Sequence, residues 1–516
     1  MNIKKTRSIE KKVYNNNSLT IAEHLAFMSA EESVYQEDYE KSLKKTYNCL
    51  DLKAFKNELK KADVVLIGDY RPFIDSKNFF MDLALDLNKK DKRKTFAALD
   101  WYASSKQAIM DEFLSSKKEN EDLINKLYND RKWNLKFKDF YVPVLSSFKK
   151  AKIPIFCIDK TSYCKPETRD EFSAAKLVNI IKANPKSRAI VSLGDNRLSA
   201  KHFPQSLKSL IPELNIMLVH LNIGAIYFKE INNGQISKLP AFYQLNKNEY
   251  CALTSSPVYL QQSFLNTFNE DYDFSVCESV KVTAFTNIDF ICKFLGLSSE
   301  KYKKLKVASW DNIHLDKKLY NKEFKSNEEK AIFEHAQHSE SFCLPQQNFI
   351  FIANRFKSHI AEEVCHYIKN DLDGANLIKN EMEYFYYMTM HEALGFLGSK
   401  LIYPKRKIQS LKVLKEEAQY DEIYCKIYTN IMLHKRLEKS EDFEKYSSIY
   451  FSDPIAFSGT VHYLGYLLGQ ALFEMYEQKK INKGFIKKLF FSDFALSDEA
   501  RNIYFDLVEI IRQAKG

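Results

Sequence analysis

Two short segments of the chain repeat one pattern, an aliphatic run that ends in Gly-Asp-x-Arg. The first covers residues 64–71 (VVLIGDYR), and the second covers residues 189–197 (AIVSLGDNR). An apolar run that is followed at once by Gly is typical of a buried parallel strand entering a tight turn. Ligands bind at the carboxyl ends of the strands in an open α/β sheet. The pattern therefore predicts two matching loops on one rim of one sheet, each with an Asp and an Arg.

Strands and helical stretches alternate over the first half of the chain. We predict strands at 63–68, 95–100, 153–158, 188–193 and 216–221, with helices between them and a hairpin partner strand at 224–229. Such alternation is typical of a sheet that is covered by helices on both faces. The expected fold class is therefore α/β, with a parallel-rich sheet followed by a mainly helical C-terminal domain.

The same pattern divides the chain into four segments. We predict a disordered tail at residues 1–18, which are polar, and an α/β domain with an N-terminal helix at residues 19–240. We predict a mixed connector with helices at residues 241–345 and a helical domain at residues 346–516. Two helices of the last segment contain Gly395, Gly398, Gly465 and Gly469. Gly inside a helix costs about 0.5–1 kcal/mol relative to Ala. We therefore expect these two helices to pack closely against others.

Composition excludes several classes of protein. The 516 residues carry 77 basic and 67 acidic side chains, mixed along the chain, for a net charge of +10. An excess this mild predicts no dedicated nucleic-acid surface. No apolar stretch reaches the ~20 residues that span a bilayer, so we expect no transmembrane segment. The nine cysteines include no Cys-x-x-Cys pair and suit a reducing compartment. These features predict a cytoplasmic protein. They are compatible with a homo-oligomer and do not decide the oligomeric state.

Several motifs in the first half resemble the ChaN-like family, which is grouped with Tiki, TraB and erythromycin-esterase-like proteins. The matching residues are 62–73, 97–102, 133–134 with 141–145, and 193–198 with 202–204. The resemblance spans roughly residues 50–230. It implies an α/β fold with the motif loops on one rim. For ChaN-like proteins it implies haem binding linked to iron uptake, and for the wider group it implies metal-dependent or His/Glu-dependent hydrolysis.

The chain departs from the family pattern at three positions on these loops. Arg71 and Arg197 stand where the family carries His, and Asp100 ends the second strand, where the family commonly has Glu. Arg stays protonated and has no lone pair for a metal or a proton. His-dependent metal binding or general-base chemistry is therefore excluded at both Arg positions. His202 would substitute only if its loop folded back.

The charged residues of the predicted rim leave three interpretations open. The set comprises Asp69, Arg71, Asp100, Asp195 and Arg197. The first interpretation is an internal ion-pair cluster that holds the loops together after activity was lost, because buried charges need partners. In the second, both Arg groups bind an anion such as a haem propionate or a phosphate. The third is hydrolysis by a carboxylate pair, or by a metal held on the three Asp.

Two tyrosines lie beside the same loops, Tyr70 and Tyr102. A tyrosinate ligates haem iron in some proteins, although core packing is the ordinary role of Tyr in a chain with 30 of them. The expected function is thus a ligand-binding protein for haem or another small anion, without His-dependent catalysis. The alternatives are a metal-dependent hydrolase of the Tiki/erythromycin-esterase-like group that uses Asp carboxylates, and a degenerate scaffold or interaction protein with no small-molecule ligand.

A second group of chemically active side chains lies on one predicted helix of the C-terminal half. His359, Glu362, Glu363 and His366 have the spacing i, i+3, i+4 and i+7, which places them on one helix face. Glu363-x-x-His366 has the spacing found in di-iron carboxylate bundles, which need a second such pair. His391, Glu392 and His462 would complete a site if their helices packed nearby. The readings left open are a solvated polar face, a buried polar network, and a metal or haem site.

Overall fold

The structure is a computed structural model that describes most of the chain. The described ranges are 3–25, 30–43, 47–70, 72–90, 93–117, 121–128, 138–160, 164–236, 238–268, 276–313, 335–373, 380–440 and 442–515. Contacts divide these residues into two compact units. The first, the α/β unit, contains the described residues up to 268 together with 310–313. The second, the helical unit, contains residues 276–309 and the described residues from 335 onward.

The α/β unit contains eight strands and eleven helices among its described residues. The strands are β1 (Asn48–Leu50), β2 (Val64–Asp69), β3 (Thr95–Ala103), β4 (Ile155–Asp159), β5 (Arg188–Gly194), β6 (Ile216–Leu221), β7 (Ala241–Asn246) and β8 (Glu249–Leu253). The helices are α1 (Ile3–Leu25), α2 (Ala30–Ser42), α3 (Leu52–Leu59), α4 (Ile74–Lys90), α5 (Gln107–Ser115), α6 (Glu121–Tyr128), α7 (Lys138–Lys150), α8 (Pro166–Ala183), α9 (Phe203–Leu210), α10 (Gly224–Asn232) and α11 (Pro257–Leu265).

All eight strands form one sheet in the order β1-β7-β8-β6-β2-β5-β3-β4. The six strands from β8 to β4 are parallel, and β7 and β1 continue the sheet in antiparallel pairings. Every residue of β2, β3 and β6 is buried, as expected for central strands covered on both faces. The predicted α/β class and the five predicted parallel strands are confirmed.

Three sequence predictions fail in this unit. Residues 3–18 belong to α1 and not to a disordered tail, because Ile9 and Val13 are buried and Glu10 Oε1 accepts hydrogen bonds from Tyr227 and Ser256. Residues 224–229 form α10 and not a strand, since a short run that is apolar on all sides has no diagnostic period. The sheet also continues past the boundary predicted at residue 240, through β7 and β8.

The helical unit is built from eight helices among its described residues, with a small sheet beside them. The helices are α12 (Val280–Leu295), α13 (Lys357–Leu372), α14 (Glu381–Ile402), α15 (Leu411–Glu417), α16 (Glu422–Ser440), α17 (Pro454–Glu477), α18 (Lys483–Phe491) and α19 (Glu499–Lys515). Three short strands, β9 (Lys306–Ala308), β10 (Phe342–Leu344) and β11 (Phe349–Phe351), form a sheet in the order β10-β11-β9.

Helices α14 and α17 approach each other closely at the glycines that the sequence singled out. A Cβ atom at Gly469 would lie 2.5 Å from the carbonyl oxygen of Ala393 and 3.2 Å from the amide nitrogen of Leu397. A Cβ atom at Gly465 would lie 2.8 Å from the carbonyl oxygen of Thr389. The backbones of the two helices therefore touch where a side chain would stand, which confirms the expected close packing.

We expect Gly469→Ala to destabilise the protein by about 1–3 kcal/mol, the usual cost of overpacking a filled interface. This cost exceeds the ~1 kcal/mol that Ala gains over Gly in helix propensity. Gly484→Ala, on an exposed turn of α18 where the nearest neighbour of a Cβ atom is the Asn482 side chain at 3.1 Å, is the matched control and should not destabilise the protein, because no backbone opposes the gain in helix propensity. Urea unfolding of both variants checks this expectation, and equal midpoints for the two would contradict the packing argument.

Candidate functional site

The two Gly-Asp loops lie side by side on one rim of the sheet. β2 and β5 are adjacent and parallel, and their register pairs Asp69 with Gly194. β3 flanks β5 on its other side and carries Asp100. The prediction that both motifs lie on one rim is confirmed, whereas the Arg predicted on the first loop is not tested. Arg71 lies outside the described residues.

Arg197 is buried between two carboxylates of the rim. It lies in the single 3-10 turn that follows β5, Asp195–Leu198. Its Nε donates to Asp170 Oδ1 at 2.6 Å, and its Nη1 donates to Asp100 Oδ2 at 3.1 Å. The third guanidinium nitrogen, Nη2, is buried and has no hydrogen-bond partner among the described residues. Arg197 therefore serves first as an internal ion-pair partner, as the first interpretation of the sequence proposed.

Further charged residues extend this ion-pair cluster. Asp100 also accepts a hydrogen bond from the amide of Gly194 at 3.1 Å. Arg169, on α8, lies 3.8 Å from Asp100 and binds Asp159 through two bonds of 2.6 and 2.8 Å. The hydroxyl of Tyr35, on α2, donates to Asp170 at 3.0 Å. Sequence reasoning missed these partners because each comes from an element remote along the chain.

Asp69 is bound by the helix that follows its own loop. Ser76 Oγ donates to Asp69 Oδ1 at 2.6 Å, and the fully buried Lys77 Nζ lies 2.5 Å from the same oxygen. The other carboxylate oxygen, Oδ2, is buried without a hydrogen-bond partner among the described residues. Sequence reasoning also missed Lys77. The signal that could have identified it is its position in the first turn of the helix predicted directly after the loop.

Asp195 lies against the backbone of the neighbouring strand. A Cβ atom at Gly68 would overlap Asp195 Oδ1, so Gly at position 68 makes room for this carboxyl group. Oδ1 has no hydrogen-bond partner among the described residues. Burial, and next the negative charge of Asp69, raise the pKa of Asp195 to about 7. Asp195 therefore exchanges a proton near neutral pH.

The remaining rim residues named by the sequence occupy enclosed positions. His202 stacks on Tyr35 with ring centroids 3.6 Å apart, and its Nδ1 lies 2.8 Å from the carbonyl oxygen of Asn196. Tyr102 shares a hydrogen bond of 2.5 Å with Tyr128. Burial, followed by the charge of Asp195, raises the pKa of Tyr70 well above its usual value. These phenols are therefore held in the neutral form.

In the helical unit, the four residues predicted on one helix face lie on α13 and are largely buried. His359 Nε2 lies 2.9 Å from Ser341 Oγ and 3.4 Å from Glu363 Oε1. Glu362 Oε2 accepts a hydrogen bond from Arg406 at 2.8 Å. Their burial shows that this face is not a solvated one, because it packs against other helices of the unit.

Two of the three supporting residues named by the sequence reach this cluster. Glu392, on α14, lies beside His462, on α17, with Oε2 and Nδ1 2.9 Å apart. His391 does not reach it, because its Nε2 lies 2.6 Å from Asp373 instead. Burial lowers the pKa of His462, but the charge of Glu392, its hydrogen bond and the charge of Glu362 together outweigh burial and raise the pKa. Arg406 and Tyr466, which bond to each other at 2.7 Å, were missed by sequence reasoning.

Comparison with known proteins agrees with the resemblance seen in the sequence. Residues 55–164 match the model of the family described as haem-binding uptake, Tiki superfamily, ChaN. The resemblance is confirmed for this portion, which includes β2, β3 and β4. The comparison with curated proteins finds no match.

Two solved structures are similar to part of the chain. The type III effector HopBA1 is 15% identical, with 40% of this chain and 96% of that chain covered, at a TM-score of 0.31. ChaN of Campylobacter jejuni, whose structure is described as showing cofacial haem binding, is 16% identical, with 39% and 91% covered, at a TM-score of 0.27. At these scores, neither likeness carries an argument about function.

The raised pKa of Asp195 predicts how stability depends on pH. Because the folded state holds this proton up to about pH 7 and the unfolded state releases it near pH 4, the folded protein binds more protons between these values. Stability from this group therefore falls as the pH rises through that window. Asp195→Asn removes the effect. We therefore expect the free energy of unfolding of this variant, relative to that of the parent, to rise by about 2–3 kcal/mol from pH 5 to pH 8.

Denaturant unfolding at the two pH values measures this difference. Asp51→Asn, at the exposed N-cap of α3, is a control for the loss of one carboxylate. A pH profile of Asp195→Asn parallel to that of the parent would contradict the assignment.

Proposed function

We propose that the α/β unit is a ChaN-like ligand-binding domain whose rim receives a carboxylate-bearing ligand, with haem as the first candidate. The observation that carries this proposal is the family match over residues 55–164. The matched range contains Asp69 and Asp100, two of the three carboxylates that the sequence predicted on the rim. The proposal therefore concerns this unit alone.

The polar atoms of the rim suit the carboxylate end of such a ligand. Arg197 Nη2 is a buried donor without a partner among the described residues, and Asp195 Oδ1 belongs to the same short turn. When protonated, the carboxyl group of Asp195 also donates. Since Asp100 and Asp170 already balance the charge of Arg197, binding would depend on these hydrogen bonds more than on net charge.

The described rim residues suit the iron of haem less well. His202 Nε2 faces Asp38 at 3.5 Å, and the ring is covered by Tyr35. Tyr102 is bonded to Tyr128, and the raised pKa of Tyr70 disfavours a tyrosinate ligand. The proposal therefore assigns recognition to the propionates and assigns no iron ligand.

Titration with haemin and with protoporphyrin IX tests this assignment, because the two share propionates and differ in iron. We expect both to bind with similar dissociation constants, followed by absorbance and by quenching of tryptophan fluorescence. Binding should tighten about tenfold from pH 8 to pH 6, as Asp195 becomes protonated. Asp195→Asn, whose amide donates at every pH, should still bind and lose this pH dependence.

The outcomes of the titration separate the alternatives. Failure of both porphyrins to bind a folded protein at micromolar concentration would rule out the haem proposal and favour the degenerate scaffold. Binding of haemin alone, independent of pH, would move recognition to the iron and overturn the role given to the propionates.

A second candidate function, hydrolysis, is favoured by one observation. Asp195 has a pKa raised to about 7 by burial and by the neighbouring charge of Asp69, and a carboxyl group that titrates near neutral pH is suited to act as a general acid or base. If the protein is a hydrolase, we expect it to hydrolyse members of a panel of esters and peptides, and we expect Asp195→Asn to lose this activity. Turnover equal to that of the parent enzyme, or none in the parent, would contradict it.

A further inference from the structure

We propose that the helical unit contains a binding site for one divalent transition-metal ion, formed by Glu362, His366 and Glu392. One ligand atom from each residue lies within 4.8 Å of the others, the only such group of three His, Cys, Asp or Glu ligand atoms among the residues the structure describes. The site lies within one unit and does not depend on the function proposed for the rim.

The ligands come from two helices that pack against each other. Glu362 and His366 stand one turn apart on α13, so both point from one face of that helix. Glu392 lies on α14. Gly395, one turn beyond Glu392, makes room for the imidazole, because a Cβ atom there would overlap His366 Nε2. The ring of His366 is thus held at the surface of α14, near Glu392.

Two polar atoms of these side chains have no hydrogen-bond partner among the residues that the structure describes. Glu362 is 1% exposed, and its Oε1 has no hydrogen-bond partner among the described residues. His366 Nε2 is likewise buried without a partner. A buried, unpartnered carboxylate oxygen costs several kcal/mol unless something binds it. A metal ion would satisfy both atoms at once.

Each ligand also has a neighbour that orients it, as ligands in metal sites usually do. Arg406 binds the second oxygen of Glu362 at 2.8 Å, and His462 Nδ1 lies 2.9 Å from Glu392 Oε2. Glu363 Oε2 lies 4.0 Å from His366 Nδ1, on the side of the ring away from Nε2. These contacts leave Glu362 Oε1 and His366 Nε2 available to a metal.

The ligand types select a class of metal. Two carboxylates and one imidazole suit Zn²⁺, Fe²⁺ or Mn²⁺, whereas Mg²⁺ and Ca²⁺ prefer sites made of oxygen alone. Three protein ligands leave at least one coordination position for water or another small ligand. A di-iron centre is not proposed, because the described residues provide only one such group of three ligand atoms.

Titration of the full-length, metal-free protein with Co²⁺, a spectroscopic substitute for these ions, tests the site. We expect one equivalent to bind with visible absorption bands, to be displaced by Zn²⁺ but not by excess Mg²⁺, and to raise the thermal midpoint of the protein. Glu392→Gln and His366→Gln should each weaken binding by more than about tenfold, and His462→Gln by about ten- to a hundredfold.

His338→Gln, which removes an exposed imidazole of the same unit, is the matched control and should bind like the parent. Thermal unfolding without metal shows which variants are folded. If His366→Gln is not folded, the test rests on Glu392→Gln, which keeps the shape of the side chain. Absence of a tight equivalent in the parent would overturn the proposal, as would undiminished binding in folded Glu392→Gln.

Discussion

Arg197 is a buried guanidinium on which the charge balance of the α/β rim depends. From the turn after β5 it reaches Asp100 on β3 and Asp170 on α8. Removing one partner of such a buried pair typically costs about 3–5 kcal/mol, because the other charge stays buried. The same carboxylate of Asp170 holds Tyr35 of α2. One cation thus ties the second motif loop to a strand and to two helices that surround it.

This arrangement explains how a buried Arg is accommodated at a position where the resemblance to the ChaN-like family implies His. A permanent cation at position 197 requires carboxylate partners nearby, and Asp100 and Asp170 supply them. Because Arg197 is paired with both carboxylates, little of its positive charge is available to an anionic ligand. Two groups are available to a ligand: Nη2 of Arg197, and the carboxyl group of Asp195, which is half-protonated near neutral pH. Any ligand at this rim meets hydrogen-bonding groups and not an excess of charge.

In the helical unit, too, buried polar groups need partners, but here two polar atoms of α13 are left without one among the described residues. Close packing of α14 against α17 at Gly465 and Gly469 leaves no room for water between the helices at those points, so polar groups near that contact need partners from the protein. Arg406 and His462 partner Glu362 and Glu392. Glu362 Oε1 and His366 Nε2 have no hydrogen-bond partner in the part of the chain that the structure describes. In both units, the groups that pairing leaves unsatisfied mark the place where a ligand is proposed.

The sequence by itself determined the α/β class, the parallel strands, the location of the two Gly-Asp loops on one rim and the helix face of His359 to His366. These follow from hydrophobic period, turn residues and side-chain spacing, which act over a few residues. Only the tertiary structure decided the partners of those side chains, such as Asp170 and Arg406, because contacts between elements far apart in the chain leave no local pattern. It also decided that residues 3–18 are helical and that 224–229 are not a strand. In both cases, burial against other elements outweighed local polarity or β propensity.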